Sequence, residues 1–359
     1  MVKLKYTALI TPAILLSACA VVEKPNVTAP DAVRVAAIVE TDIVGTSNDD
    51  AADDPAIWRN ADLPSASLIV GTDKKAGLYV YDLLGKERSF QPAGNINNVD
   101  IRETGDGDTA RIIVGASNRN EIAKPQISLF TLNPQTAALS PLADIFAGTG
   151  EAYGFCFGRA SATELNAILI TKGGGIFDVA MDMAKPVPTG VVKRSMRVGT
   201  QAEGCVVDTA TNMLYVGEEN VGIWSFNLND AAPAAMPFAM LKAGEMTADV
   251  EGLALATAGG GAGYLVASSQ GDNSYAVYDL QTKAFKGRFA VADGAIDATS
   301  DTDGIELMLG DFGPNFPGGI FVAQDGTNSE PGQSNTPKQA TQNFKYLSWD
   351  SVKAALNLD

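Results

Sequence analysis

The chain contains no histidine. That absence excludes Ser-His-Asp and Cys-His triads, a histidine phosphoenzyme and the common zinc sites. Cysteine is nearly as scarce, with three residues in 359, so no thiolate cage can form. Any metal must therefore be held by oxygen, which points to calcium or magnesium. Positive charge is short as well. Lys and Arg number 26 against 42 Asp and Glu, giving a formal charge of −16 and a pI near 4.4. This balance argues against nucleic acid or a general anionic surface as partner. Long amphipathic helices are missing too. General acid–base work falls to carboxylates, lysine, tyrosine or metal-bound water.

What remains is a globular composition, 46% hydrophobic and 19% charged, with 36 glycines that imply many tight turns. The length suits two ordinary domains or one large β domain. At the start, Lys3 and Lys5 precede an apolar run from Thr7 to Leu16, too short for a permanent span. It ends Leu16-Ser17-Ala18-Cys19, which resembles the lipobox of bacterial lipoproteins. Residues 1–18 are therefore expected to be a signal peptide, with a lipid anchor at Cys19. Losing Lys3 and Lys5 with it takes the formal charge from −16 to −18. Ala20 stands where an aspartate often retains lipoproteins at the inner membrane, so an exported, outer-membrane protein is expected. A periplasmic or secreted product is the alternative. Residues 19–33, with Pro25 and Pro30, read as a tether ahead of a domain spanning 34–359.

The rest repeats. Apolar runs ending in polar residues recur at Ser67–Asp73, Arg111–Asn118, Ala167–Lys172, Met213–Asn220, Tyr264–Gln270 and Gly319–Asp325. Aligned on Val70, Val114, Ile170, Val216, Val266 and Val322, they are spaced by 44, 56, 46, 50 and 56 residues. Alternating runs follow them, starting at Leu78, Ile127, Ile176, Ile223, Tyr275 and Phe344. A third series precedes them: DDPAIW, NNVDI, AYGFCF, AEGCVV, VEGLAL and TDGIEL. Six units of about 50 residues, each with three or more short strands, predict an all-β six-bladed β-propeller. A sandwich of unrelated strands would not keep six matched registers.

Strands in a blade run antiparallel from the axis outward, so inner-strand starts and second-strand ends share one face of the disc. That rule gathers Asp53, Asp54, Asn98, Tyr153, Glu203, Asp249, Glu251, Asp301 and Asp303 with Asp73, Lys74, Lys75, Asn118, Arg119, Lys172, Glu218, Glu219, Gln270, Asp325 and Asn328 around one mouth. So many carboxylates repel unless hard cations neutralise them. The rim cations are then expected to face an anion, and phosphate suits metal-plus-cation clamping.

These segments carry a resemblance. DDPAIW, GTDKKAGLYVYDL, NNVDIR, AYGFC, AEGC, GEEN, DVEGLAL, GYLVASSQGDNSYAVYDL, TSDTDGIE, FPGGIFVAQDG and QNFK, in order from Asp49 to Trp349, are similar to the β-propeller phytases, the calcium-dependent alkaline phytases of bacteria. The resemblance implies hydrolysis of myo-inositol hexakisphosphate or its calcium complex, with several Ca2+ ions at the substrate site and others in the fold. It implies phosphate binding by Lys74, Lys75, Arg119 and Lys172, with Tyr153 nearby. Glu203, Glu219, Glu251, Gln270 and Asp303 match the cleavage-site positions, with Asp249 and Asp297 as further ligands. Catalysis would rest on Glu203, Glu219 and Asp303 through metal-activated water. Asp54 with the Val99 backbone resembles a structural calcium site, and Asp325 with Asn328 another. Thr327 stands where some members have glutamate, and Ala298 where glycine is expected after Asp297. Two other functions fit a propeller. A calcium-dependent lactonase needs the carboxylates but not the rim cations, and a non-catalytic binding module needs neither. A monomer is expected.

The remaining marked residues read as structural. Cys156 and Cys205 sit on neighbouring inner strands at opposite parity relative to Tyr153 and Glu203, so their side chains face different ways. Buried free thiols are expected rather than a disulfide. Trp58, Trp224 and Trp349 read as core fillers. The glycine triplets at 173–175 and 259–261 read as loops, with no following helix to make a phosphate cradle.

Overall fold

The computed structural model describes residues 28–329 and 341–359. The expected signal peptide, Cys19 and most of the expected tether lie outside these residues. Six sheets form the predicted propeller. The inner strands are Ala52–Trp58, Ile96–Thr104, Ala152–Ala160, Ala202–Asp208, Val250–Ala256 and Ile305–Leu309, one for each of blades 1 to 6. Antiparallel pairing carries each blade outward through the second and third runs marked in the sequence.

The second strands read as unbroken apolar runs because both of their faces are covered. Leu68–Asp73 is buried at every position. Its Val70 packs towards blade 2 with Val99 and Val114, and its Ile69 towards blade 6 with Ile320 and Val322. The same two-sided packing recurs round the ring, so each core is shared by a pair of blades rather than enclosed in one. At roughly 25 cal/mol per Å² of apolar surface, this burial is what holds the blades together.

Three features escaped the sequence reading. Blades 1 to 5 have a fourth strand, such as Glu87–Pro92 and Thr189–Arg197, whose burial is patchy and whose apolar pattern is correspondingly weak. Blade 6 obtains its fourth strand from the other end of the chain: Val39 and Glu40 pair antiparallel with Tyr346 and Lys345. Val33–Ala36 adds a parallel fifth strand to blade 5. Ala29 and Ala32 pack against Ala290, and Asp31 pairs with Arg288, so residues 29–33 belong to the propeller and not to the tether. A final helix, Trp349–Leu356, caps the seam through Trp349 and Val352. Among the described residues no helix is long and apolar enough to cross a membrane.

One expectation is overturned. Cys156 and Cys205 form a disulfide, with Cα atoms 5.8 Å apart, inside the usual range. The parity argument was sound but the conclusion was reversed. Residues facing opposite sides of two successive sheets in a stack face each other across the gap between those sheets, and an interblade bridge requires that arrangement. Trp58 and Trp349 are buried, whereas Trp224 is half-buried and donates to Glu218 Oε2 at 2.7 Å.

Candidate active site

Five of the six inner strands begin with an irregularity. In blades 1 to 5 their pairing with the second strand skips one residue at the mouth, between Ala52 and Pro55, Ile96 and Val99, Ala152 and Phe155, Ala202 and Cys205, and Val250 and Leu253. A β-bulge of this kind re-aims a side chain that would otherwise lie between the sheets. The residues inside the bulges are Asp53, Asn97, Tyr153, Glu203 and Glu251, each followed by one more. In blade 6, Asp303 and Gly304 lie just before Ile305. The repeated bulge thus supplies one side chain to the mouth from each of blades 1 to 5, and the segment before Ile305 supplies Asp303 from blade 6.

Glu203, Glu219 and Glu251 converge there. Carboxylate oxygens from the three lie within 4.8 Å of one another, and all three residues are buried. Burial, then repulsion from Asp53 and Glu251, pushes the Glu203 carboxyl well above its ordinary range. Glu251 is pushed up likewise by burial and by Asp303, Glu219 and Asp249. Asp303 is raised by burial, against the pull of Lys74, with Asp53 and Asp50 adding repulsion. Glu251 Oε2 and Asp53 Oδ2 are buried and accept no hydrogen bond. An all-oxygen donor set with buried, unsatisfied carboxylate oxygens fits a hard divalent cation. Gln270 joins through its amide, which donates to Asp303 Oδ1.

The sequence did not separate Glu219 from its neighbour except by register. The structure separates them plainly. Glu218 accepts from Thr200 N, Thr200 Oγ1 and Trp224 Nε1, at 2.5, 2.6 and 2.7 Å, and is a structural residue. Asn97 was missed because NNV offers two asparagines, and only the bulge distinguishes them. Its amide donates to Glu203 Oε1 at 2.7 Å and its carbonyl accepts from Arg119 Nη1 at 2.6 Å, which links the carboxylates to the cations. Asp53 stood among the inner-strand starts but was assigned no role. It pairs with Lys74.

The cations divide into two kinds. Arg119 and Lys172 lie over the Tyr153 ring at 5.4 and 5.1 Å from its centroid, an attraction that holds two like charges near one another. Glu151 also pairs with Arg119. Lys75 is exposed, 3.7 Å from Asp49, a pair worth little in water. Lys74 departs from expectation. It is buried rather than free at the rim, because Asp50, Asp53 and Asp303 hold its ammonium at 2.8, 2.9 and 3.2 Å. Burial pulls its pKa down, but Asp53, Asp303, Asp50 and Glu203 outweigh that and hold it well above the ordinary lysine value.

The other expected ligands lie elsewhere. Asp297, expected at the cleavage site, belongs to a separate buried group. Ser329 N and Oγ donate to its Oδ2 at 2.6 and 2.9 Å, and Lys345 pairs with its other oxygen. The fully buried Lys345 ammonium also meets Glu40 Oε2 at 2.8 Å, Asp325 Oδ2 at 3.3 Å and Asn328 Oδ1 at 3.3 Å. The oxygens of Asp325 and Asn328 therefore face an internal ammonium. Replacing Lys345 with Met should leave these carboxylates uncompensated. Breaking a buried pair in this way costs about 3 kcal/mol or more, and the loss should appear as a lower denaturation midpoint. Asp54 Oδ2 accepts from Val99 N at 2.9 Å, so it is the Val99 amide that meets that carboxylate.

Comparisons with known proteins identify the family. The phytase family model matches residues 3–359. The 3-phytase of Bacillus subtilis (strain 168) is 40% identical over 329 residues, covering 89% of this chain and 84% of that protein. A chain in the crystal structure of the mitotic checkpoint complex covers 97% of this chain and 87% of its own length, at 13% identity and a TM-score of 0.48, and bears on neither the activity nor the site. With a family match along nearly its whole length and a 40% identical relative, the chain belongs to the phytase family.

Proposed function

We propose that this protein is a phytase that releases phosphate from myo-inositol hexakisphosphate, or from its calcium complex, at the mouth described above. The observation that carries this reading is the convergence of Glu203, Glu219 and Glu251 beside the Arg119–Tyr153–Lys172 stack. In this reading the three glutamates hold calcium, with Asp303, Asp249 and Gln270 completing the set. Bound calcium would supply charge to the phosphoryl oxygens and lower the pKa of an attacking water. Arg119 and Lys172 orient the phosphate and offset its charge, since both reach the rim from second-strand ends. The Tyr153 ring draws those two cations together at one wall of the site. Lys75 takes a neighbouring phosphate from its exposed position. Lys74 holds Asp53 and Asp303 in place from beneath.

The substrate has adjacent phosphates, so one can be cleaved while another adds affinity. A lactonase would leave Arg119 and Lys172 without purpose, and a binding module would leave the buried glutamates without one. The reading includes a calcium ion at Asp54 with Val99, whereas one at Asp325 with Asn328 would have to share those oxygens with the Lys345 ammonium. It also includes export with lipidation at Cys19, and a monomer. Phosphate release from phytate, measured with and without calcium and set against lactone hydrolysis, tests the function. Arg119→Ala should raise KM for phytate at least about fivefold while the β-structure persists. Unchanged kinetics in that variant would remove this face as the substrate site.

A further inference from the structure

Four glycines follow functional residues directly: Tyr153-Gly154, Glu203-Gly204, Glu251-Gly252 and Asp303-Gly304. None has the positive φ that calls for glycine in a turn, so space must be the reason. Each packs on the backbone of the next blade's inner strand. A Cβ on Gly154 would collide with Glu203 O, and one on Gly204 with Glu251 O. On Gly252 it would lie 2.5 Å from Ile305 N, and on Gly304 2.6 Å from Asp53 O. Direct hydrogen bonds cross two of these gaps, Gly252 N to Asp303 O at 3.1 Å and Gly304 N to Asp53 O at 3.0 Å.

We infer that Gly154, Gly204, Gly252 and Gly304 are positioning residues, which set the spacing of the carboxylates at the mouth by letting successive inner strands meet backbone to backbone. The four occupy the consecutive blades 3 to 6, the arc that carries Tyr153, Glu203, Glu251 and Asp303. In blades 1 and 2 the same place in the bulge is held by Asp54 and Asn98, and the three-glutamate cluster does not extend there. A second observation ties the spacing to a ligand: Glu251, whose backbone carbonyl faces Gly204, has a buried Oε2 that accepts no hydrogen bond. An added methyl at Gly204 must push the inner strand of blade 4 away from that of blade 5, and Glu203 moves with it, away from Glu251.

The inference rests on the proposed metal site, and its test does not depend on turnover. Melting temperature is measured in calcium and in chelator for the natural protein, for Gly204→Ala and for Gly158→Ala. Gly158 lies on the inner strand of blade 3, where a Cβ would lie 3.2 Å from Asn166 Cβ. Gly204→Ala should raise half-saturating calcium at least about tenfold, which removes about 1.4 kcal/mol of calcium-induced stabilisation. Gly158→Ala should keep the full increment. Equal losses with and without calcium, or the same loss in Gly158→Ala, would make these glycines packing residues only and overturn the assignment. Should Gly204→Ala not fold, Gly154→Ala presses on the Glu203 carbonyl from the other side and is measured in the same way. If neither variant folds, blade contact is the glycines' purpose and the inference fails. Absence of any calcium increment in the natural protein would instead sink the metal site itself.

Discussion

Exhaustive chelation of calcium is expected to abolish phytate hydrolysis and to lower the melting temperature in the same titration. Both effects have one source. Without a cation, Glu203, Glu251 and Asp303 are held together at the mouth, and holding protons relieves the repulsion that Lys74 does not offset. Their raised pKa values fix the sign of the pH dependence. Above about pH 4, the unfolded chain has released protons that the folded chain still binds, so metal-free stability falls as pH rises. A cation reverses this by replacing those protons, and by binding only the folded state it stabilises by mass action. Chelation should therefore cost more stability at pH 9 than at pH 6. Full activity and an unchanged melting temperature in excess chelator would remove calcium from the account.

Glu219→Gln should lose at least about tenfold in phytate turnover at saturating calcium, while Glu218→Gln should keep it. The two residues are adjacent on the chain and carry the same charge, so composition cannot separate the outcomes. Their surroundings can. Glu218 spends its oxygens on Thr200 and Trp224, and its loss should register as lower stability. Glu219 directs a carboxylate oxygen to the cluster with Glu203 and Glu251. The amide keeps one oxygen ligand and nearly the same volume, so the comparison isolates charge. Circular dichroism would confirm that both variants keep their β-structure. Equal turnover in the two, or loss only in Glu218→Gln, would move the metal cluster elsewhere.

Much of this was legible from register alone. The six blades showed in the spacing of their second strands, because those strands are buried on both faces and their apolar content cannot vary far. Glu203, Glu251 and Asp303 were legible for a related reason, since inner-strand starts must meet at one mouth. Local patterns fell short where contact came from distant chain. Lys345 reads as one polar residue in an apolar strand, and nothing nearby in sequence announces Glu40, Asp297 and Asp325 as its partners. Lys74 likewise reads as a rim cation until Asp303, from the last blade, is placed beside it. The disulfide was lost to an inference about single sheets where stacked sheets decide. The outer strands left little trace because solvent constrains their residues weakly.

The pairing of Val39 and Glu40 with Tyr346 and Lys345 bears on how the protein is made. The two halves of that sheet lie near opposite ends of the polypeptide, so the ring cannot shut until synthesis is almost complete. A product that stops short of Asn343 lacks the third strand of blade 6 and cannot pair with Val39 and Glu40. Its seam stays open, and the cores that Phe344, Tyr346 and Leu347 fill are exposed to any protease nearby. Ring closure therefore doubles as a check on length: degradation would remove unfinished chains, and only finished ones would survive to bind metal.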